Sequence, residues 1–328
     1  MSLNSQLRLR LGPPVRRWRK RLDNPEVRLA RLLAERLRSA PPDVLHLGAS
    51  EAQYVGPNDV DQRTLPVMMA EALAPDLTLY SVNNAGYHPK MFSAYLNVVG
   101  ASPVRPIVVL SLTVRFGFTP WALHPEYGFA RSLRALTRIK PGSPPWRFRA
   151  PVRLTRASDF LVLDQMAYPT LGGTRTIGEF RHALKRDSGS DLVGEERTRV
   201  LYAYHQGGVV SEQYLADVTA LGAQLRALGL KAVVYHTPTP IDRGVELHGD
   251  GFRTRVIENL GRIDEAFRAG YGPIDILQTG PMLSSAEFIN PDDAIEHANE
   301  LGRHRMTDMI TQAIRAQRDG SSGSTSEP

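Results

Sequence analysis

Residues 106–114 read Pro-Ile-Val-Val-Leu-Ser-Leu-Thr-Val, a nearly continuous run of apolar and β-branched side chains. A strand that is apolar on both faces is typical of a parallel sheet with helices packed on its two sides. Shorter apolar runs, bounded by polar residues, glycine or proline, predict four more strands. These lie at residues 43–48, 77–82, 231–235 and 274–277.

The segments between the predicted strands have apolar residues at helical spacing. They predict helices at residues 24–37, 66–73, 88–99, 212–228, 253–269 and 294–318. Strands that alternate with helices in this way predict an α/β fold. The expected architecture is a three-layer α/β/α sandwich with a flavodoxin-like parallel sheet of about five strands.

The chain divides into an arm, one large domain and a tail. Residues 1–40 are predicted to form a basic N-terminal arm and helix, and residues 41–318 one α/β domain. Residues 319–328 are rich in glycine and serine and are expected to be disordered. The pattern weakens at residues 119–202, which we interpret as an insertion of the kind that forms lids and substrate-binding elements.

Composition excludes several classes of site. The chain has no cysteine, so disulfides, thiolate metal sites and a cysteine nucleophile are ruled out. No glycine-rich phosphate loop follows the first predicted strand, and no histidines and carboxylates have zinc-like spacing. Neither a cofactor nor a metal ion is therefore expected.

Residues 1–40 carry most of the positive charge, with eleven Lys and Arg against three Asp and Glu. We interpret them as a solvated, partly helical arm. Weak contact of residues 8–21 with an anionic membrane surface is the alternative. Trp18 is the single aromatic residue of this arm, and one ring is too few to stack the bases of a single strand. No nucleic-acid partner is therefore expected. The arm has no apolar stretch long enough for a signal-peptide core, which predicts a cytoplasmic protein.

Ser50 is the candidate nucleophile, because it follows the first predicted strand in the sequence Leu47-Gly48-Ala49-Ser50. A serine there lies at the carboxyl edge of the sheet, where backbone N–H groups can receive an oxyanion. Taken alone, the pattern also fits a turn serine that caps a helix.

His297 is the candidate base. It lies near the end of the domain, in residues 291–303, Pro-Asp-Asp-Ala-Ile-Glu-His-Ala-Asn-Glu-Leu-Gly-Arg, where the last helix is predicted to begin. Asp293 lies four residues earlier and would reach the imidazole Nδ1–H if that turn were helical. A serine, a histidine and an orienting acid are the parts of a nucleophilic triad.

Together the two segments resemble the SGNH (GDSL-like) hydrolases. The first is similar to the family's Gly-Asp-Ser block, and residues 297–302 match its His-x-Asn-x-x-Gly block. The resemblance covers roughly residues 43–316 and implies the SGNH hydrolase fold, with Ser50 as nucleophile and His297 as base. The family's usual acid position is Ala294 here, so Asp293 is the predicted acid. The alternatives are Asp292, Glu296 and a catalytic dyad without an acid.

The blocks that would hold the oxyanion diverge from the family pattern. Residues 84–89 resemble the Asn-x-Gly-x-x-Gly block, but its last glycine is Pro89, which has no N–H to donate. Gly86 or Lys90, in the loop that begins at Asn84, are the predicted substitutes. Arg115 stands where the third block has asparagine. It is either a donor to an oxyanion, carboxylate or phosphate, or part of a structural ion pair.

The resemblance implies a serine ester hydrolase, an esterase or deacetylase that acts on an O-acylated small molecule or glycan through an acyl-enzyme. An O-acyltransferase that uses the same serine is one alternative. A catalytically silent domain that binds an anionic partner through Arg115 and the arm is another.

Overall fold

The computed structural model describes residues 25–118, 129–136, 167–170, 173–176 and 194–319. Within these ranges the chain forms a five-stranded parallel sheet with helices on both faces. The predicted three-layer α/β/α sandwich is confirmed. Three predicted parts of the chain lie wholly or mostly outside the described residues: residues 1–24 of the basic N-terminal arm, most of the insertion and nearly all of the tail.

The strands are β1 (Val44–Gly48), β2 (Leu79–Asn83), β3 (Ile107–Leu112), β4 (Ala167–Thr170), β5 (Gly173–Thr176), β6 (Ala232–His236) and β7 (Ile276–Leu277). The α-helices are α1 (Pro25–Ser39), α2 (Leu65–Leu73), α3 (Pro89–Gly100), α4 (Ala130–Leu136), α5 (Gly194–Gln206), α6 (Glu212–Ala227), α7 (Ile241–His248), α8 (Asp250–Tyr271), α9 (Thr279–Met282) and α10 (Glu300–Asp319). The sheet order is β2-β1-β3-β6-β7, and β4 and β5 form a separate antiparallel pair. The five strands predicted from the sequence are the five strands of this sheet.

The sheet is buried on both faces, as the apolar runs predicted. Residues such as Leu45 and Leu110 face one core, which α1, α3, α6 and α8 cover. Val109 and Tyr235 face a second core, which α2 and α10 cover. Each fully buried Leu or Val side chain contributes about 1.5–3 kcal/mol to folding.

The strand order places a crevice at the carboxyl edge of the sheet. From β1 the chain passes through α2, on one face, to β2, and then returns through α3, on the other face, to β3. The connections that lead from β1 and into β3 thus lie on opposite faces of the sheet. The crevice between the carboxyl ends of two such strands is where open α/β sheets bind ligands. The segments after β1 and β3 carry Ser50 and Arg115.

The predicted start of the last helix at residue 294 is wrong, because α10 begins at Glu300. A short 3₁₀ helix, Pro291–Asp293, ends at Ala294, which adopts a left-handed conformation with φ 54°. Asn299 then caps α10, since its Oδ1 accepts the N–H of Gly302 at 3.2 Å. His297 therefore precedes the helix in an extended segment, where its carbonyl accepts the N–H of Ile289 at 3.0 Å.

Among the helices of the described ranges, none is both long and apolar enough to cross a membrane.

Candidate active site

Ser50 lies at the first residue of a 3₁₀ turn, Ser50–Ala52, directly after β1. The turn is closed by its own backbone, because the Ser50 carbonyl accepts the N–H groups of Gln53 at 3.0 Å and Tyr54 at 3.2 Å. The side chain of Glu51 accepts the N–H of Ala49 at 3.0 Å. Ser50 is 7% exposed, so only a small part of it is open to solvent.

Gly48 is required by what lies beneath the turn. A Cβ at this position would lie 2.6 Å from Cε1 of His46 and 2.9 Å from Cβ of Ala52. No side chain fits there without displacing the imidazole or the turn that carries Ser50. The glycine two residues before the serine is thus explained by packing.

A buried chain of hydrogen bonds runs under the turn. Tyr235 donates its hydroxyl to Glu51 Oε1 at 3.2 Å, and the His46 Nε2 atom lies 3.1 Å from the tyrosine oxygen. His46 Nδ1 lies 2.9 Å from Oγ of Ser81. Burial lowers the pKa of His46 to about 3, so its ring is neutral. Since the tyrosine proton goes to Glu51, Nε2 of His46 carries the ring proton and Nδ1 accepts from Ser81.

His297 lies beside this turn. Its ring stacks on Tyr54, with centroids 4.1 Å apart and planes 17° apart. Burial, together with the charge of Arg115, lowers the pKa of His297 to about 4. The ring is therefore neutral at pH 7, as a general base requires. Its Nε2 atom is buried and makes no hydrogen bond within the described part of the chain.

Arg115 belongs to the same site. It lies in the 3₁₀ turn that follows β3, and its Nη2 atom makes a 2.9 Å ion pair with Oε2 of Glu296. Its Nη1 atom is 3.4 Å from Nδ1 of His205. Burial, then the charges of Arg115 and His297, place the pKa of His205 well below its ordinary value. Of the two interpretations of Arg115, the ion pair is the one for which the structure contains a contact.

Two buried carboxyl groups in this region interact electrostatically. Burial raises the pKa of Glu51 and of Glu296, and the charge of Glu51 raises the pKa of Glu296 further. Glu51 follows Ser50 and Glu296 precedes His297, so this pair and the Tyr54 stack both join the first block to the last.

The three candidate acids each pair with an arginine. Asp293 lies 3.4 Å from Arg197 and accepts from Asn290 at 2.9 Å. Asp292 pairs with an arginine of α7 at 2.7 Å, and Glu296 pairs with Arg115. The left-handed Ala294 removes the helical turn on which the choice of Asp293 rested. Within the described ranges, no carboxylate is hydrogen-bonded to the His297 ring.

The loop after β2 has contacts of another kind. The Asn84 side-chain amide lies 3.4 Å from Oε1 of Glu26 in α1, and Lys90 pairs with Asp217 of α6 at 3.2 Å. Gly86 has φ +82°, a conformation that favours glycine. The described contacts of Asn84 and Lys90 join this loop to α1 and α6, and do not join it to Ser50.

Sequence reasoning missed Tyr54, Glu51 and the His46–Tyr235 pair. Their positions beside Ser50 and on two central strands were the available signals, but the contacts join distant segments. The described residues include no group of three or more side chains that could hold a metal ion. No family model matches the chain, and no curated protein matches it either.

Proposed function

We propose that the protein is a serine-dependent acyl hydrolase, an esterase or deacetylase, with Ser50 as the nucleophile and His297 as its base. One observation carries this proposal. Ser50 follows β1 at the carboxyl edge of the sheet, and Tyr54, which donates its backbone N–H to the Ser50 carbonyl, stacks on the neutral, mostly buried His297. The charge of the buried Arg115 also acts on that histidine. A nucleophile, a base and a cation are the groups that acyl transfer requires.

The reaction has two halves. Ser50 Oγ attacks the ester carbonyl carbon while His297 removes the hydroxyl proton, and the carbonyl oxygen becomes an oxyanion. When this intermediate collapses, His297 returns the proton to the leaving alcohol and the acyl group stays on Ser50. Water, activated by His297, then releases the acid and restores the serine.

Arg115 and the Ser50 amide are the proposed donors to the oxyanion. A guanidinium has five N–H donors in a planar fork, and one of its groups in Arg115, Nη2, lies 2.9 Å from Glu296. Loop 84–90 remains the predicted source of a further backbone donor. In an unliganded site, catalytic hydrogen bonds often form only when substrate binds.

The proposed substrate is an O-acylated small molecule or an acyl group on a glycan chain. Tyr54, which is 49% exposed beside the Ser50 turn, offers aromatic surface against which such a substrate would pack. An O-acyltransferase would use the same acyl-enzyme and pass the group to an alcohol.

The silent binding domain is disfavoured by the Arg115–Glu296 ion pair. Burial raises the pKa of Glu296, but Arg115 opposes that shift, and the pair offsets the charge that would attract an anionic partner.

Hydrolysis of an aryl acetate tests the proposal. We expect turnover by the unsubstituted protein and by Ser93→Ala, a matched serine variant in α3, and loss of turnover in Ser50→Ala. Turnover that survives in Ser50→Ala would rule out the serine mechanism.

A further inference from the structure

The orienting group of His297 differs from the acid that the triad pattern predicts. The three candidate carboxylates each pair with an arginine, whereas the imidazole is stacked on Tyr54. We propose that the aromatic face of Tyr54 takes the place of the acid, by fixing the orientation of His297 and by stabilising the imidazolium that forms during acyl transfer. This inference rests on the function proposed above.

Tyr54 is linked to both reacting groups. Its backbone N–H donates to the Ser50 carbonyl at 3.2 Å, and its ring lies 4.1 Å from the ring of His297. A change in the position of Tyr54 therefore changes the geometry of the serine relative to the histidine. Tyr54 is a positioning residue in this sense, since it acts on the reaction through His297.

The segment that carries this tyrosine, residues 53–64 (the Tyr54 segment), is anchored to the start of α10. The carboxylate of Glu300 accepts the N–H groups of Val60 at 2.6 Å and Asp61 at 2.9 Å. Arg303, which is 1% exposed, donates to Oδ2 of Asp59 at 2.6 Å and to the carbonyl of Arg63 at 3.1 Å.

The same helix start also fixes His297. Arg303 is 3.4 Å from the carbonyl of Ala298, the residue after His297, and its own N–H donates to the carbonyl of Asn299 at 2.8 Å. The tyrosine and the histidine are thus attached to one rigid element from two directions. Their stack is a consequence of this shared attachment, and it needs no carboxylate.

The chemistry of a stacked ring suits a base that becomes charged in the transition state. The face of an aromatic ring is negative, so it attracts the imidazolium more than the neutral imidazole. Tyr54 is 49% exposed, and its hydroxyl makes no hydrogen bond with a described residue. The ring face is therefore the active feature, and phenylalanine should replace it.

The stack itself can be measured without any activity. An aromatic ring shields protons that lie over its face, so the His297 ring protons should resonate upfield in the NMR spectrum. The chain has nine histidines, and comparison with His297→Gln identifies the resonances of this one. We expect Tyr54→Phe to keep the upfield shift and Tyr54→Leu to lose it. Val60→Ala, in the same segment and 90% exposed, is the control that should change nothing. Upfield shifts that survive in Tyr54→Leu would overturn the inference.

The kinetics then separate positioning from general stability. We expect kcat for aryl acetate hydrolysis to fall about three- to tenfold in Tyr54→Leu, with KM nearly unchanged, and to recover in Tyr54→Phe. An unchanged kcat in Tyr54→Leu, once the shift is lost, would overturn the orienting role. A protein that shows the shift but hydrolyses no ester would refute the proposed function instead, because the stack would exist without the reaction.

Discussion

Removal of the Arg303 guanidinium should release the Tyr54 segment and destabilise the whole domain. Arg303→Met keeps an unbranched apolar stem but loses the guanidinium, with its ion pair to Asp59 and its hydrogen bonds to three carbonyl groups. Loss of one partner from a buried ion pair removes about 3–5 kcal/mol from the free energy of unfolding. We expect the lower end, about 3 kcal/mol, because Asp59 also accepts the N–H of Gly56 at 2.8 Å.

Urea denaturation at pH 7 measures this difference. The matched control is Arg305→Met, two residues later, because Arg305 is largely exposed and pairs with Glu287 at 3.2 Å. Exposed pairs contribute about 0–1 kcal/mol, so this variant should stay close to the unsubstituted protein. Equal free energies of unfolding for the two variants would refute the claim that Arg303 anchors the Tyr54 segment.

The same comparison has a defined pH dependence. Partial burial alone would raise the pKa of Asp59, but the Arg303 guanidinium and the Gly56 N–H outweigh it and hold the pKa below its ordinary value. A carboxyl group with a lowered folded-state pKa stabilises the fold above its unfolded pKa, about 3.9, and this contribution is lost as pH falls through the folded value. The stability gap between the unsubstituted protein and Arg303→Met should therefore be full at pH 7 and narrow below about pH 4. A gap that stays constant to pH 3 would contradict the ion-pair explanation.

Three further predictions concern the site itself. The rate constant kcat/KM for ester hydrolysis should rise with pH through about 4, the lowered pKa of His297, and stay level above it, and an inflection near 6.5 in the pH–rate profile would contradict this. Gly48→Ala should lower the free energy of unfolding in urea by about 1–3 kcal/mol and reduce kcat, because the new Cβ would lie 2.6 Å from His46. The control is Gly261→Ala, which has open space around it and should be neutral or stabilising. Tyr235→Phe should lower the unfolding free energy by about 1–3 kcal/mol, because it leaves Nε2 of the buried His46 without its hydrogen-bond partner. A change below about 0.5 kcal/mol would show that the chain of hydrogen bonds under the turn is dispensable.

The sheet was predictable because its signal is local. Residues 106–114 are apolar on both faces, and such a run is seldom compatible with anything except a buried strand. The apolar segment before Ser50 also predicted a buried strand, and every residue of β1 is buried in the structure. Side-chain hydrophobicity decides these elements, and it can be read without knowledge of the rest of the chain.

The start of the last helix was not predictable in the same way. Residues 294–298 have ordinary helix-forming side chains, but Asn290 and Asn299 each cap a different turn, and Ala294 adopts a left-handed conformation between them. Competition between caps is settled by tertiary contacts, such as the bridge between Phe288 and Ala298. The helical turn on which the choice of Asp293 as the acid rested is therefore absent from the structure.

The contacts that distinguish the site join segments far apart in sequence. His46 and Tyr235 meet across 189 positions, and Arg115 meets Glu296 across the sheet. A one-dimensional pattern indicates that Ser50 and His297 belong to one site, because their blocks resemble those of a known family. It does not indicate which side chain lies against the histidine ring, since that depends on how the Tyr54 segment is anchored to α10.

Labelling with a fluorophosphonate probe, followed by mass spectrometry of the modified peptide, tests the central claim most directly. The reagent forms a covalent bond with an activated serine, so we predict an adduct on the peptide that contains Ser50, absent in His297→Ala and retained in Ser93→Ala. A folded sample that forms no adduct, or one that labels equally well in His297→Ala, would contradict the assignment of Ser50 and His297 as nucleophile and base.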